Sequence, residues 1–211
     1  MQDIIIIGAG AFGREVNWLI ERINRSEPKW NVIGFVDDGI VTGEVVAGLP
    51  VFGGIDYLLS LNEQVNLVCA IAGVNARKQI IANLNEKDNV NFPNLIDPSV
   101  IQSPSVQMGC GNIICASSVL SVDIKIEDFV IIDWNCTIGH DVVLGSYVTV
   151  YPGTNISGCV DIGIRCEIGT GTKVVQGLKI ASDVVTGAGA VVAKDIDVRG
   201  TYVGVPVKMV K

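Results

Sequence analysis

The sequence has one histidine, His140, and therefore one imidazole with which to move protons near neutral pH. A general base working at that pH is most often histidine, because free imidazole titrates at about 6.5. A second pattern with chemical potential lies near the N-terminus, in Gly8-Ala9-Gly10-Ala11-Phe12-Gly13. This GxGxxG spacing follows an apolar run and precedes an amphipathic stretch. Its glycines let the backbone approach a diphosphate, and the start of the following helix favours the charge. Asp37 and Asp38 end the next strand-like run about 25 residues on, near the expected place of an acid that binds a ribose.

Bulk properties narrow the classes. At 211 residues the chain is long enough for a proper core and for one or two domains. Its net charge of -7 argues against nucleic-acid binding, which needs a basic stripe. No apolar run approaches the roughly 18 residues of a membrane span, and the start of the chain lacks a signal-peptide pattern. Hydrophobic residues nonetheless make up 49% of the chain, which suggests a subunit interface. The six cysteines form no CxxC pair, and with one histidine no metal site is expected. Cys136 and Cys166 read as small core residues. A cytoplasmic location follows from the thiol content.

Two kinds of segment must position these groups. Residues 1–95 alternate strand and helix: Ile4–Ile7, a helix over Arg14–Asn24, strands at Val32–Val36 and Leu67–Ile71, and a helix over Ala76–Leu84. Such alternation implies a small parallel sheet flanked by helices, about half of a dinucleotide-binding fold. Residues 96–211 differ. Stepping by six from Met108 through Ile114, Leu120 and onward to Ile180 and Thr186 gives fourteen positions, thirteen of them large and apolar. A second column four residues later holds small or β-branched residues, and glycine often follows the first column, as at Gly109, Gly139, Gly145, Gly163, Gly169 and Gly187. A hexapeptide period marks a parallel β-helix, with glycines expected at corners of positive φ. Three repeats close one coil, so residues 18 apart stack about 4.8 Å apart. The fourteen repeats predict four to five coils. The 18-residue step puts Gly158 against His140, where its backbone N–H could stabilise an oxyanion.

The repeat resembles that of the hexapeptide acyltransferases, and Ile138-Gly139-His140-Asp141-Val142-Val143-Leu144-Gly145 resembles a segment of their sialic acid and bacillosamine acetyltransferase branch. Phe92–Ser99 is similar to the family's entry into its first coil, and Ala188–Lys208 to the closing segment of many hexapeptide acetyltransferases. The resemblance implies a left-handed β-helix, a homotrimer, and His140 as general base supported by Asp141. It implies acetyl-CoA along a prism corner between subunits. The stacked Gly169-Thr170-Gly171 and Gly187-Ala188-Gly189 are the candidate strip there, with Thr170 and Ala188 beside the pantetheine arm. Lys173, Lys179, Lys194 and Lys208 are candidates for the CoA phosphates, and Trp134 and Tyr151 for walls of the acceptor pocket. Thr149 stands where close relatives carry a second histidine near the thioester.

The resemblance also assigns the first domain to the nucleotide of an activated sugar, with Gly10, Ala11 and Phe12 around the diphosphate and sugar, and Asp37 and Asp38 toward the base and ribose. Relatives often carry histidine at the Phe12 position, so no side-chain contact is carried over there. Gly73, Asn75 and Arg77 would complete the crevice. The expected activity is acetyl-CoA-dependent N-acetylation of a nucleotide-linked amino sugar, of the 4-amino-4,6-dideoxy type, for surface glycans. The nucleotide is left open among UDP, dTDP and GDP. The alternatives are O-acetylation of a sialic-acid-like sugar, an NAD-dependent oxidoreductase, and a non-catalytic nucleotide-sugar sensor.

Overall fold

The computed structural model describes residues 1–84 and 87–211. The chain divides into two units, Met1–Pro98 and Ser99–Lys211.

In the first unit, β1 (Gln2–Ile7) leads through a glycine-rich turn into α1 (Ala11–Ser26), then to β2 (Trp30–Val36). A hairpin, β3 (Val45–Val46) and β4 (Leu49–Pro50), precedes α2 (Ile55–Ser60), β5 (Val65–Cys69), α3 (Val74–Leu84) and β6 (Val90–Asn91). The strands β2-β1-β5-β6 form one parallel sheet in that order. Ile4–Ile7 are all buried because β1 is central and covered on both faces, which is why they read as a continuous apolar run rather than an alternation. Val16, Leu19 and Ile20 form the buried stripe of α1. The helix starts three residues before the expected Arg14, since Ala11 and Phe12 carry no periodic signal. The hairpin and α2 were not legible either: two-residue strands hold no period, and their turn is set by positive φ at Ala47 and Gly48. Asp97, with no exposed side-chain surface, accepts two hydrogen bonds from the Arg22 guanidinium at 2.5 and 3.0 Å.

The glycines of the first turn have separate jobs. Gly8 has a φ of 98°, which favours glycine. A Cβ on Gly13 would land on the Gly8 carbonyl oxygen, so Gly13 sets how closely α1 packs on the turn. Gly13→Ala is expected to destabilise the first unit by about 3 kcal/mol, the upper part of the usual cost of overpacking, because the obstacle is backbone. Urea unfolding checks this, and a wild-type midpoint would show slack at the strand–helix junction.

The second unit is a solenoid with three faces. One carries the strands Ile113–Ile114, Ile131–Ile132, Thr149–Val150, Glu167–Ile168 and Val184–Thr186. The next carries Ile101–Gln102, Val119–Leu120, Thr137–Ile138, Asn155–Ile156, Lys173–Val174 and Val191–Val192. The third carries Gln107–Met108, Lys125–Ile126, Val143–Leu144, Asp161–Ile162 and Lys179–Ile180. Within these ladders the pairing is parallel and in register at 18 residues, as in Thr137 with Asn155 and Asn155 with Lys173. The six-stranded face makes about six turns, more than the four to five expected. The extra coil begins at Ile101–Gln102, where a polar, exposed Gln102 interrupts the apolar column and hides the repeat.

The inward columns are buried, including Cys136 and Cys166, whose thiols desolvation pushes up to about 11. Their reading as core residues agrees with that placement. The corner glycines differ from expectation. Positive φ recurs every sixth residue from Gly111 to Gly189, but at Ser117, Asp123, Phe129, Asn135, Asp141, Tyr147, Cys159, Arg165 and Asp183 as well as at glycines. Gly109, Gly139, Gly145, Gly163, Gly169 and Gly187 lie two residues earlier, and none of them has positive φ. They are small because the next coil leaves no room. A Cβ on Gly139, Gly145 or Gly163 would come within 2.5, 2.8 and 2.6 Å of the backbone nitrogens of Gly158, Ile164 and Ser182.

Candidate active site

His140 and Asp141 form one corner of the solenoid, directly after the strand Thr137–Ile138. Asp141 has a φ of 56°, and this turn brings its carboxylate back to the preceding side chain. Asp141 Oδ2 lies 2.7 Å from His140 Nδ1, with both side chains about half exposed, at 58% and 47% respectively. An ionised carboxylate only accepts, so this pair places the ring proton on Nδ1 and leaves the Nε2 lone pair free. One coil on, Gly158 packs against the flat of the imidazole: a Cβ there would lie 2.5 Å from His140 Cε1 and 2.8 Å from Cδ2. The neighbouring Cys159 N–H donates to the His140 carbonyl at 2.8 Å, tying the two coils together. Ser157 and Cys159 both spend their N–H groups between coils, whereas the Gly158 N–H has no partner among the described residues. A fixed imidazole with a free Nε2, beside an unspent backbone donor, can accept a proton while charge develops on a nearby oxygen.

Asp141 has two separable effects. Glycine suits its left-handed backbone better than any L side chain. Asp141→Gly is therefore expected to fold with equal or greater stability while losing about tenfold or more in kcat, because the imidazole loses the group that fixes its tautomer. Thermal unfolding beside steady-state rates checks this; a parallel loss of stability and activity would contradict it.

The candidate donor-binding residues sit elsewhere on the prism. Thr170 and Ala188 are exposed at the corner that follows the strands Glu167–Ile168 and Val184–Thr186, a different edge from that of His140. The strip leaves space, since a Cβ on Gly189 would meet nothing within 4 Å, but the Gly171 and Gly189 N–H groups are already spent on the carbonyls of Pro152 and Thr170. Thr149 is 1% exposed within its strand, so its hydroxyl does not reach the solvent of either edge. Lys173 reaches Gly153 O and Asn155 Oδ1, completing a ladder in which Asn155 also donates to Thr137. That accounts for its charge without a phosphate. Lys208 is exposed in the closing hairpin of Gly200–Val203 with Lys208–Met209. Tyr151 donates to Glu167 at 2.9 Å, and Trp134 is half-buried on the corner beside it.

In the first unit, a cavity of about 140 Å³ lies at the carboxyl ends of β1, β2 and β5, lined by Gly8, Asp37, Asp38, Ile55 and Ile71 among others. This is where the chain, having placed β2 on one side of β1, places β5 on the other, the usual ligand position in an open α/β sheet. Helix α1 begins there with Gly10 as its cap, no side-chain capping bond and no acid in its first turn, which leaves the N–H groups near Ala11 and Phe12 available to an anion. Asp37 holds the loop itself, accepting from Ala9 N–H and Gly39 N–H, both at 2.8 Å. Asp38 accepts from Ile55 N–H at 2.9 Å. Gly73 is not among the lining residues, and Arg77 is turned inward, 1% exposed, donating to the carbonyls of Ile71 and Ala72.

The PglD N-terminal domain family matches residues 3–84. The acetyltransferase domain of PglB from Neisseria gonorrhoeae FA1090, solved in complex with acetyl coenzyme A, is 32% identical with a TM-score of 0.88, over 99% of this chain and 99% of that one. The chain belongs to the hexapeptide-repeat nucleotide amino-sugar acetyltransferases. Its α/β unit followed by a left-handed parallel β-helix is the architecture of this family, as the sequence led one to expect. A GDP-perosamine N-acetyltransferase from Escherichia coli O157:H7 is 29% identical over 82% of this chain and 78% of that protein. PerB from Caulobacter crescentus, solved in complex with CoA and GDP-perosamine, is 28% identical with a TM-score of 0.87, over 100% of this chain and 98% of that one. No helix among the described residues is long and apolar enough to cross a membrane.

One neighbour of His140 was missed from the sequence. Cys159 lies with its Sγ 3.9 Å from His140 Nδ1. The signal was available, because the 18-residue step that pairs His140 with Gly158 also pairs Asp141 with Cys159.

Proposed function

We propose that this chain transfers the acetyl group of acetyl-CoA to the amino group of a nucleotide-linked 4-amino-4,6-dideoxy sugar, a step in making surface glycans. His140 Nε2 takes the proton lost by the amine as its nitrogen attacks the thioester carbonyl. Asp141 holds the imidazole in the tautomer that permits this. The Gly158 N–H carries the negative charge of the tetrahedral oxygen, and the C–S bond then breaks to release CoA, whose thiolate takes the proton from His140. The observation that carries this reading is the His140–Asp141 pair at 2.7 Å over Gly158, in a chain of this family.

The crevice of the first unit, with Gly10, Ala11 and Phe12 at the uncapped start of α1, is proposed to hold the nucleotide diphosphate through backbone N–H groups. Asp37 and Asp38 act there by shaping the loop rather than by free carboxylates, since both already accept backbone bonds. The corner with Thr170 and Ala188 is proposed to take the pantetheine arm, with Lys208 near the CoA phosphates. That corner and His140 stand on different edges of one prism. Bringing them together takes a neighbouring copy, and a homotrimer does so three times. The compartment is proposed to be the cytoplasm, in keeping with six free cysteines.

Purified protein should release CoA thiol when given acetyl-CoA and a GDP-, UDP- or dTDP-linked 4-amino sugar, and not when given a sialic acid. Turnover with the hydroxyl acceptor alone, or with no acceptor of either kind, would overturn the reading.

A further inference from the structure

Asp141 and Cys159 occupy the same corner in successive coils, with φ of 56° and 58°, so their side chains leave the backbone in parallel. Together with His140 they form a cluster of three different donors, a ring nitrogen, a carboxylate oxygen and a sulfur, all within 4.8 Å of one another and exposed. Nδ1 is 2.7 Å from the carboxylate and 3.9 Å from the sulfur. A tetrahedral zinc ion, with bonds of about 2.0–2.3 Å, needs donors roughly 3.3–3.8 Å apart. Small side-chain rotations meet that requirement. The imidazole is already oriented by its packing on Gly158, and the backbone of Cys159 is tied to that of His140.

The geometry points to an inhibitory site for a thiophilic divalent cation, zinc above all, held by His140 Nδ1, the Asp141 carboxylate and the Cys159 thiolate, with the fourth position left to solvent. This inference rests on the reading of His140 Nε2 as the base. Binding releases the thiol proton. A neutral imidazole that gives the lone pair of Nδ1 to a metal carries its remaining proton on Nε2. The nitrogen that should accept the proton of the amine is then a donor, and acetyl transfer stops. The chain would thus carry, on its catalytic corner, a device that shuts it down when free zinc rises.

Cobalt(II) provides a readout that needs no substrate, because a cobalt–thiolate bond gives a charge-transfer absorption. The intact protein, reduced and free of chelator, is titrated with cobalt(II) alone. The wild type and Cys110→Ser, which removes the other exposed thiol, are expected to show the band, and Cys159→Ser to lose it. Zinc is then added to the acetyl-transfer assay, each protein being compared with its own metal-free rate. About one equivalent should inhibit the wild type, while Cys159→Ser should need about tenfold more zinc or beyond, the least that losing a ligand should cost if outer-shell partners alone are worth that much. A missing band, or a band that survives Cys159→Ser, overturns the site. A band that Cys159→Ser abolishes, with no inhibition by zinc, overturns the switch and the placing of the base at Nε2.

Discussion

His140→Ala is expected to lower kcat by about 10²–10⁴-fold, the span usual for removing a general base, with unfolding unchanged. The stability half of this rests on position. His140 is exposed on a corner, its backbone remains tied to Cys159, and its side chain adds no apolar surface to the core. The kinetic half rests on number, because the sequence holds no second imidazole to take over. Thr149, the one position the resemblance associated with a second histidine, is buried in the face of the solenoid, and a hydroxyl cannot serve as a base near neutral pH. KM for either substrate should move far less than kcat, since a proton acceptor acts mainly in the transition state. A wild-type kcat in this variant would remove His140 from the mechanism.

Gly158→Ala should come close to the same loss without touching any titratable group. Its Cβ would come closest to His140 Nε2, with Cε1 at 2.5 Å and Cδ2 at 2.8 Å, so the imidazole has to tilt off its floor. A displacement of about 1 Å in a reacting group can cost about 10²-fold in rate. The same tilt would pull Nδ1 from Asp141 and spoil the relation between Nε2 and the Gly158 N–H. Folding should suffer little. The obstacle is an exposed side chain free to swing into solvent, and Gly158 does not have positive φ, so alanine suits its backbone. Rates beside a urea midpoint separate the two effects. A variant with normal activity would mean that the imidazole works from another position.

Much of this was legible in the sequence because the solenoid translates period into space. A six-residue repeat that holds its phase fixes which residues point inward, and three repeats per coil fix which residues stack. Period alone therefore places His140, Asp141 and Gly158 against one another. The repeat failed where its residues did. Gln102 broke the apolar column at the first coil, and the glycines after that column proved to be demanded by the next coil rather than by φ. The corners themselves tolerate Phe129, Tyr147 and Arg165, partly because each gains a stacked partner: Phe129 lies on Tyr147 at 5.4 Å between ring centroids, and Arg165 pairs with Asp183 at 2.7 Å. No residue type announces such compensation.

The first unit was legible at the level of alternation and opaque at the level of side chains. Gly8, Gly10 and Gly13 match one pattern, yet one is needed for its φ, one caps a helix and one makes room. Asp37 sits where a ribose-binding acid is expected, but its oxygens serve Ala9 and Gly39. Arg77 follows the third strand as a ligand-binding residue would, and instead clamps two carbonyls from inside. Spacing reports where a residue lies along an element, and in a loop it says little about which neighbour claims its polar atoms.

The most direct test of the account is a structure of the wild-type protein with CoA and an amino-sugar nucleotide in place. The sugar amine is expected within about 2.6–3.2 Å of His140 Nε2, or joined to it through one water, with Asp141 still on Nδ1. An amine that faces any other base, or a His140 that presents Nδ1 to it, would contradict the account.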